Sequence, residues 1–195
     1  GRSERPTMRL LPAASHRTMP WKNGGGSTTE IAVAPDGAGL DEFDWRISMA
    51  LVATDGPFSA FPGVDRTLAV LQGNGLVLHG LPDGPVRLDC ATEPFGFPAD
   101  AAVSATLADG PITDLNVMTR RGRFRSRVRR IAGPASLDPY TALAFVLAEA
   151  PCRVAVDDTA PVELARHDAL RLDRAAGRGL AIAGDHAWLI EVLPD

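Results

Sequence analysis

Turn signals recur about every ten residues through most of this chain, and between them no apolar run is long enough for a buried helix of ordinary length. They are Pro35-Asp36-Gly37, Asp55-Gly56-Pro57, Pro62-Gly63, Gly73-Asn74-Gly75, Pro82-Asp83-Gly84 and Asp109-Gly110-Pro111. The intervening runs are rich in Val, Ile, Leu and Thr, the pattern of many short strands in a sandwich or barrel. In the first half it predicts strands over Thr28 to Ala34, Asp44 to Ala53, Arg66 to Gln72, Leu76 to His79 and Val86 to Asp89. In the second half the predicted strands are Ala101 to Thr106, Thr113 to Thr119, Arg123 to Ile131, Ala142 to Leu147, Arg153 to Val156, Ala169 to Leu172, Leu180 to Ala183 and Ala187 to Leu193.

One stretch, Tyr140 to Ala150, also has the composition of a helix. An internal comparison favours a strand. Leu68-Ala69-Val70-Leu71, followed by Pro85-Val86-Arg87-Leu88, matches Leu143-Ala144-Phe145-Val146, followed by Pro161-Val162-Glu163-Leu164. A second match sets Asp44-Trp45-Arg46-Ile47-Ser48 against Asp114-Leu115-Asn116-Val117-Met118. Two matches in the same order point to a duplicated β unit. The expected fold is therefore all-β and bicupin-like, two β-barrel lobes at about residues 19–98 and 99–193.

Composition narrows the function classes. The 195 residues carry a formal net charge of −4, which disfavours general nucleic-acid binding, and two cysteines, Cys90 and Cys152, are too few for a disulfide framework. No run reaches the ~18 apolar residues of a membrane helix, and the first ten residues lack a signal-like apolar region, so a soluble, cytoplasmic protein is expected.

Four strings occur in order: Met19-Pro20-Trp21-Lys22-Asn23-Gly24-Gly25-Gly26-Ser27-Thr28-Thr29-Glu30-Ile31; Trp45-Arg46-Ile47-Ser48; Asp55-Gly56-Pro57-Phe58-Ser59-Ala60-Phe61-Pro62-Gly63-Val64-Asp65-Arg66; and Asp114-Leu115-Asn116-Val117-Met118 before Arg120-Arg121. Together they resemble the HutD/Ves family over most of the chain. The resemblance implies an RmlC-like jelly-roll of the cupin kind and a setting in bacterial histidine utilisation.

A cupin-like chain raises the question of a metal. His16, His79, His167 and His186 form no H-x-H or H-x-x-x-H pair, so no metal and no other cofactor is expected. Ser59 lacks a nucleophile elbow, and neither cysteine has a histidine beside it in sequence. The Gly24 to Gly26 run is not a P-loop, since Lys22 precedes the glycines; it reads as a turn, with a backbone anion nest as the alternative.

Strand alternation supplies the candidate site. Trp45 and Ile47 share one face, leaving Arg46 and Ser48 on the other; Leu115 and Val117 oppose Asn116, Met118 and Arg120. The polar sets face either solvent or a pocket, and the family resemblance favours the pocket for Arg46 and Asn116. Thr28 and Glu30 share a neighbouring strand face, Phe58 and Phe61 are candidates for an apolar lip with a core role as the alternative, and Arg66 is a second candidate anion clamp. Arg46 is expected to stand poorly paired until an anionic ligand arrives. The run from Arg120 to Arg130 holds seven arginines, read as an exposed or edge strand rather than as a phosphate-tracking stripe.

These readings lead to metal-independent binding of a small anionic metabolite, by resemblance a formyl- or formimino-glutamate of histidine breakdown, in a regulatory or accessory role. A metal-free cupin enzyme using Glu30 or His79 and a nucleic-acid-associated regulator are the alternatives. No membrane partner is expected, and a homodimer is left open.

Overall fold

The computed structural model describes residues 5–195. Among them there is no α-helix, only a short 3-10 turn at Ala13–Ser15, and no helix long and apolar enough to cross a membrane. In chain order the strands are β1 (Thr7–Leu11), β2 (Arg17–Pro20), β3 (Gly26–Ala34), β4 (Trp45–Val52), β5 (Gly56–Pro57), β6 (Val64–Gln72), β7 (Leu76–His79), β8 (Val86–Leu88), β9 (Phe95–Pro98), β10 (Ser104–Leu107) and β11 (Ile112–Arg120). There follow β12 (Phe124–Ile131), β13 (Ala135–Ser136), β14 (Leu143–Ala148), β15 (Cys152–Val156), β16 (Val162–Leu164), β17 (Ala169–Asp173), β18 (Gly179–Gly184) and β19 (Ala187–Pro194). The ambiguous stretch around Tyr140 to Ala150 is a strand: Leu143 to Ala148 are all buried, flanked on both sides by hydrogen-bonded neighbours.

Two compact units divide the chain. One is Arg17–Phe124; the other joins the described residues through His16 to Arg125–Asp195. The expected boundary between residues 98 and 99 is displaced for a physical reason. β10 pairs with β5 and β7, and β11 lies between β4 and β6, so both complete the sheets of the first unit. The described residues through His16 also belong to the second unit, since β1 pairs with β17.

The first unit contains sheets of order β2-β3-β4-β11-β6-β9 and β5-β10-β7-β8, the second β1-β17-β14-β19-β12 and β13-β18-β15-β16. Advancing each label of β4-β11-β6-β9 and β5-β10-β7-β8 by eight gives β12-β19-β14-β17 and β13-β18-β15-β16. Two details of the sequence comparison are corrected. The quartets beginning at Leu68 and Leu143 lie on corresponding strands but are one residue out of phase. Leu68 and Val70 face their unit's core, whereas in the other unit Ala144 and Val146 do. The match of Asp44–Ser48 with Asp114–Met118 joins β4 to β11, neighbours in one sheet with Ser48 opposite Asn116, not a strand from each unit.

Each core is aliphatic. In the first unit Leu68, Val70, Leu76, Leu78, Leu88 and Ile112 cluster, and in the second Val146, Val154, Val156, Leu170, Leu172 and Leu189 do the same. Fully burying one such side chain contributes roughly 1.5–3 kcal/mol, which is how short strands with little backbone propensity of their own are held in register.

Candidate functional site

Along the three central strands of the Arg17–Phe124 unit, inward positions change character at one level of the sheet. β4 presents Val52 and Ala50, then Ser48 and Arg46; β6 presents Val70 and Leu68, then Arg66; β11 presents Ile112, then Asp114 and Asn116. Antiparallel register aligns these into rows, Ser48 with Asn116, and Arg46 and Arg66 on either side of Met118. The aliphatic half packs as core. The polar half lines a cavity of about 540 Å³.

Burial decides which reading of the alternation holds. Arg46 is 4% exposed, Ser48 1% and Asn116 2%, so the polar face does not look out to solvent. Five of the eight buried polar residues among those described, Arg46, Ser48, Arg66, Asp114 and Asn116, line this one cavity. Two surface depressions of the other unit, beside Arg129 and Arg153, are lined by none of the eight.

The polar groups are linked in two short chains. Arg46 Nε donates to Glu30 Oε1 at 2.9 Å, so Arg46 already has a carboxylate partner, contrary to the expectation that it waits unpaired for a ligand. Arg66 Nε donates to Asn116 Oδ1 at 2.8 Å, and Asn116 Nδ2 donates to Asp114 Oδ1 at 2.6 Å. Both guanidiniums are thus oriented through Nε, and their terminal nitrogens have no acceptor among the described residues. The Arg66 guanidinium carbon lies 4.7 Å from the centroid of the Phe58 ring and 5.9 Å from that of Phe97, a cation–π contact that fixes its plane. Burial lowers Arg66 from its usual value to about 10, against the pull of Asp114 and with the repulsion of Arg46, so it stays charged at neutral pH. Burial raises Asp114 to about 7, opposed by Arg66 and by the Asn116 hydrogen bond.

Of the residues singled out from sequence, Arg46, Ser48, Arg66, Asn116, Thr28, Phe58 and Phe61 line the cavity. Glu30 stands behind it, holding Arg46. Arg120 does not line it: its Nε and one terminal nitrogen donate to the Phe43 carbonyl, and the other terminal nitrogen to that of Pro62. It lies at the end of β11, where the chain leaves the sheet, and backbone carbonyls take its donors. Sequence reasoning missed Asp114, Trp21 and Lys22. Asp114 was in reach, because residues 114, 116 and 118 share one face of β11.

Trp21, Lys22 and Asn23 come from the turn between β2 and β3 and close one side of the cavity. Trp21 Nε1 donates to Thr28 Oγ1 at 2.8 Å. The glycine run serves this turn. Gly25 N–H is taken by Asn23 Oδ1, which removes it from any anion nest, and a side chain at Gly26 would collide with the Leu51 carbonyl and the Trp21 ring.

His79 is bonded to Thr106 and lines no part of the cavity, and the same holds for His16, His167 and His186. No group of three His, Cys, Asp or Glu side chains suited to a metal ion occurs among the described residues. The arginine run is dispersed. Besides Arg120, Arg121 pairs with Asp65 and Asp100, Arg123 with Asp44, and Arg129 donates to the Ser136 carbonyl, while Arg130 lies over the Trp188 ring. β12 is an edge strand of its sheet.

The all-β fold, whose central strands carry polar side chains inward to line a cavity, has solved neighbours of the cupin fold. Oxalate decarboxylase from Lactobacillus farciminis superposes with a TM-score of 0.66 over 100% of this chain and 87% of that one, at 9% identity, a likeness of fold alone. The HutD family model matches residues 13–190, and the chain belongs to the HutD family, which its name links to histidine utilisation. It is similar to HutD from Pseudomonas fluorescens SBW25, with TM-score 0.81, 33% identity and coverage of 97% of this chain and 100% of that one. It is 36% identical over 171 residues to an uncharacterised 21.2 kDa protein of the hutC 3' region of Pseudomonas putida, covering 85% of this chain and 87% of that one. It is also 42% identical over 117 residues to protein Ves of Citrobacter koseri, covering 58% of this chain and 60% of that protein.

Proposed function

We propose that this HutD-family chain binds a small carboxylate-bearing metabolite in the cavity of its Arg17–Phe124 unit, without a metal, as a regulatory or accessory protein of histidine utilisation in the cytoplasm. The observation that carries the reading is the pair Arg46 and Arg66. Two buried guanidiniums are anchored through Nε, with their terminal N–H groups unclaimed among the described residues and an aromatic wall beside one of them. Guanidinium forks match a carboxylate bidentately, and preorganisation by Glu30 and Asn116 lowers the ordering cost of binding. A formyl- or formimino-glutamate suits such a site, offering carboxylates for the arginines and a polar group for Ser48 or Asn116. The bicupin reading belongs here too: we take the two units as copies of one ancestral unit, supported by their repeated strand order.

The test is calorimetric titration of formate and N-formyl-L-glutamate into the full chain and into an Arg66→Met variant. Truncating one side of a buried charge pair costs roughly 2–5 kcal/mol of affinity. Equal affinity in variant and wild type would remove Arg66 from the site. Asp114, an acid near neutrality, favours a second reading as a metal-free acid–base enzyme; chromatography of the same mixtures for a new product separates the two.

A further inference from the structure

We infer that anion binding in this cavity is coupled to the uptake of a proton by Asp114, with Arg66 as the charge the two share. The inference rests on the reading of the cavity as a carboxylate site. Asp114 is 1% exposed, its Oδ1 is held by Asn116, and its buried Oδ2 has no hydrogen-bond partner among the described residues. The same Asn116 amide holds Arg66 Nε, so one buried side chain bridges acid and guanidinium.

The charged groups around Asp114 are few. Arg66 acts on it from β6, while Arg46 of β4 is in register with Met118 and acts on Arg66. Lys22 stands across the cavity on the β2–β3 turn, and Glu30 of β3 is turned to Arg46. Without an anion bound, an ionised Asp114 has Arg66 as its counter-charge. A carboxylate on the terminal nitrogens of Arg66 takes that role and sets a second negative charge beside the same guanidinium. Ionised Asp114 then becomes costlier, and it takes a proton; no covalent bond other than that O–H forms or breaks. The buried acid already titrates at about 7 before any ligand arrives, so the exchange falls within the physiological range.

The sign follows from linkage. Below the titration point Asp114 is already protonated and binding takes up nothing. Above it binding consumes a proton, so affinity falls with rising pH by up to about tenfold per unit until the titration point of the bound state is reached. The experiment is titration calorimetry with formate and with N-formyl-L-glutamate at about pH 6 and about pH 8, each in two buffers of different ionisation enthalpy. Wild type is expected to take up a proton at the higher pH and almost none at the lower. Asp114→Asn, which keeps an amide oxygen for Asn116, is expected to show no uptake and a flat affinity, exceeding wild type at the higher pH by up to about tenfold. As an arm independent of the variant, carbon NMR of the wild-type aspartate carboxyls should show one resonance with a midpoint near neutrality that moves upward when formate is added. Binding with no proton uptake in wild type, or uptake that persists in Asp114→Asn, overturns the coupling and leaves the carboxylate site standing. Absence of binding by either anion at either pH overturns both.

Discussion

Arg46, Arg66 and Arg120 carry the same guanidinium on one sheet and have three fates, set by what each meets. Arg46 meets Glu30 and forms a buried pair. Arg66 meets an amide and two aromatic rings, and Arg120 spends its donors on backbone carbonyls. Arg120→Met should therefore lower stability by about 1–3 kcal/mol, the cost of leaving carbonyls without donors, and leave affinity for formate as it is. Urea denaturation read beside calorimetry checks both halves. An Arg46→Met variant would orphan Glu30, so it tests folding and binding together, and Arg66→Met is the cleaner probe of the site. The difference between these arginines was not legible in sequence, because alternation assigns a face, while a partner such as Glu30, 16 residues away, depends on how strands register.

The predicted strands that lined up with the structure, β3, β4, β6, β7 and β11 among them, have β-branched or aliphatic runs bounded by turn residues. Those overlooked were short or lacked alternation: β5 is Gly56–Pro57, and β9 reads Phe-Gly-Phe-Pro. Such segments become strands only because a neighbour offers a ladder. β3 holds another feature that pattern reading does not reveal. Its pairing with β4 shifts between Glu30 and Ala32, so Thr28 and Glu30 can face the same interior as Val33, an odd number of residues further on. The turn that carries the chain from β6 of one sheet to β7 of the other gives the element-scale prediction. Gly73 has φ +98°, and a side chain there would overlap the Pro111 carbonyl and Ile112. Gly73→Ala should destabilise by more than about 1 kcal/mol, as a drop in thermal midpoint. A variant that melts with wild type would mean that the turn relaxes freely.

Over the whole chain, the two units share a strand order but not an interior. Glu191 of β19 pairs with Ala144 as Asn116 of β11 pairs with Leu68, so the two occupy corresponding places. Where Asn116 steers Arg66, Glu191 instead accepts the Asp138 N–H and the Thr141 hydroxyl through Oε1, with Arg127 at 3.9 Å from Oε2. That carboxylate is tied into its own unit and lines neither the depression beside Arg129 nor the one beside Arg153. Elemental analysis of purified protein should find well under one transition metal per chain, and a chelator should leave the melting curve in place; a stoichiometric metal whose removal lowers the midpoint would contradict this. The pairing of β1 with β17 has a consequence for biosynthesis. Thr7 lies opposite Asp173, so a ribosome adding about 5–20 residues per second releases the first of these strands many seconds before its partner exists. During that interval Thr7–Leu11 must be tolerated as an unpaired extended segment, with the entire Arg17–Phe124 unit free to form behind it. Every side chain of this strand is exposed or half-buried, and the charge of Arg9 suits a segment that must wait in water without pairing with another chain.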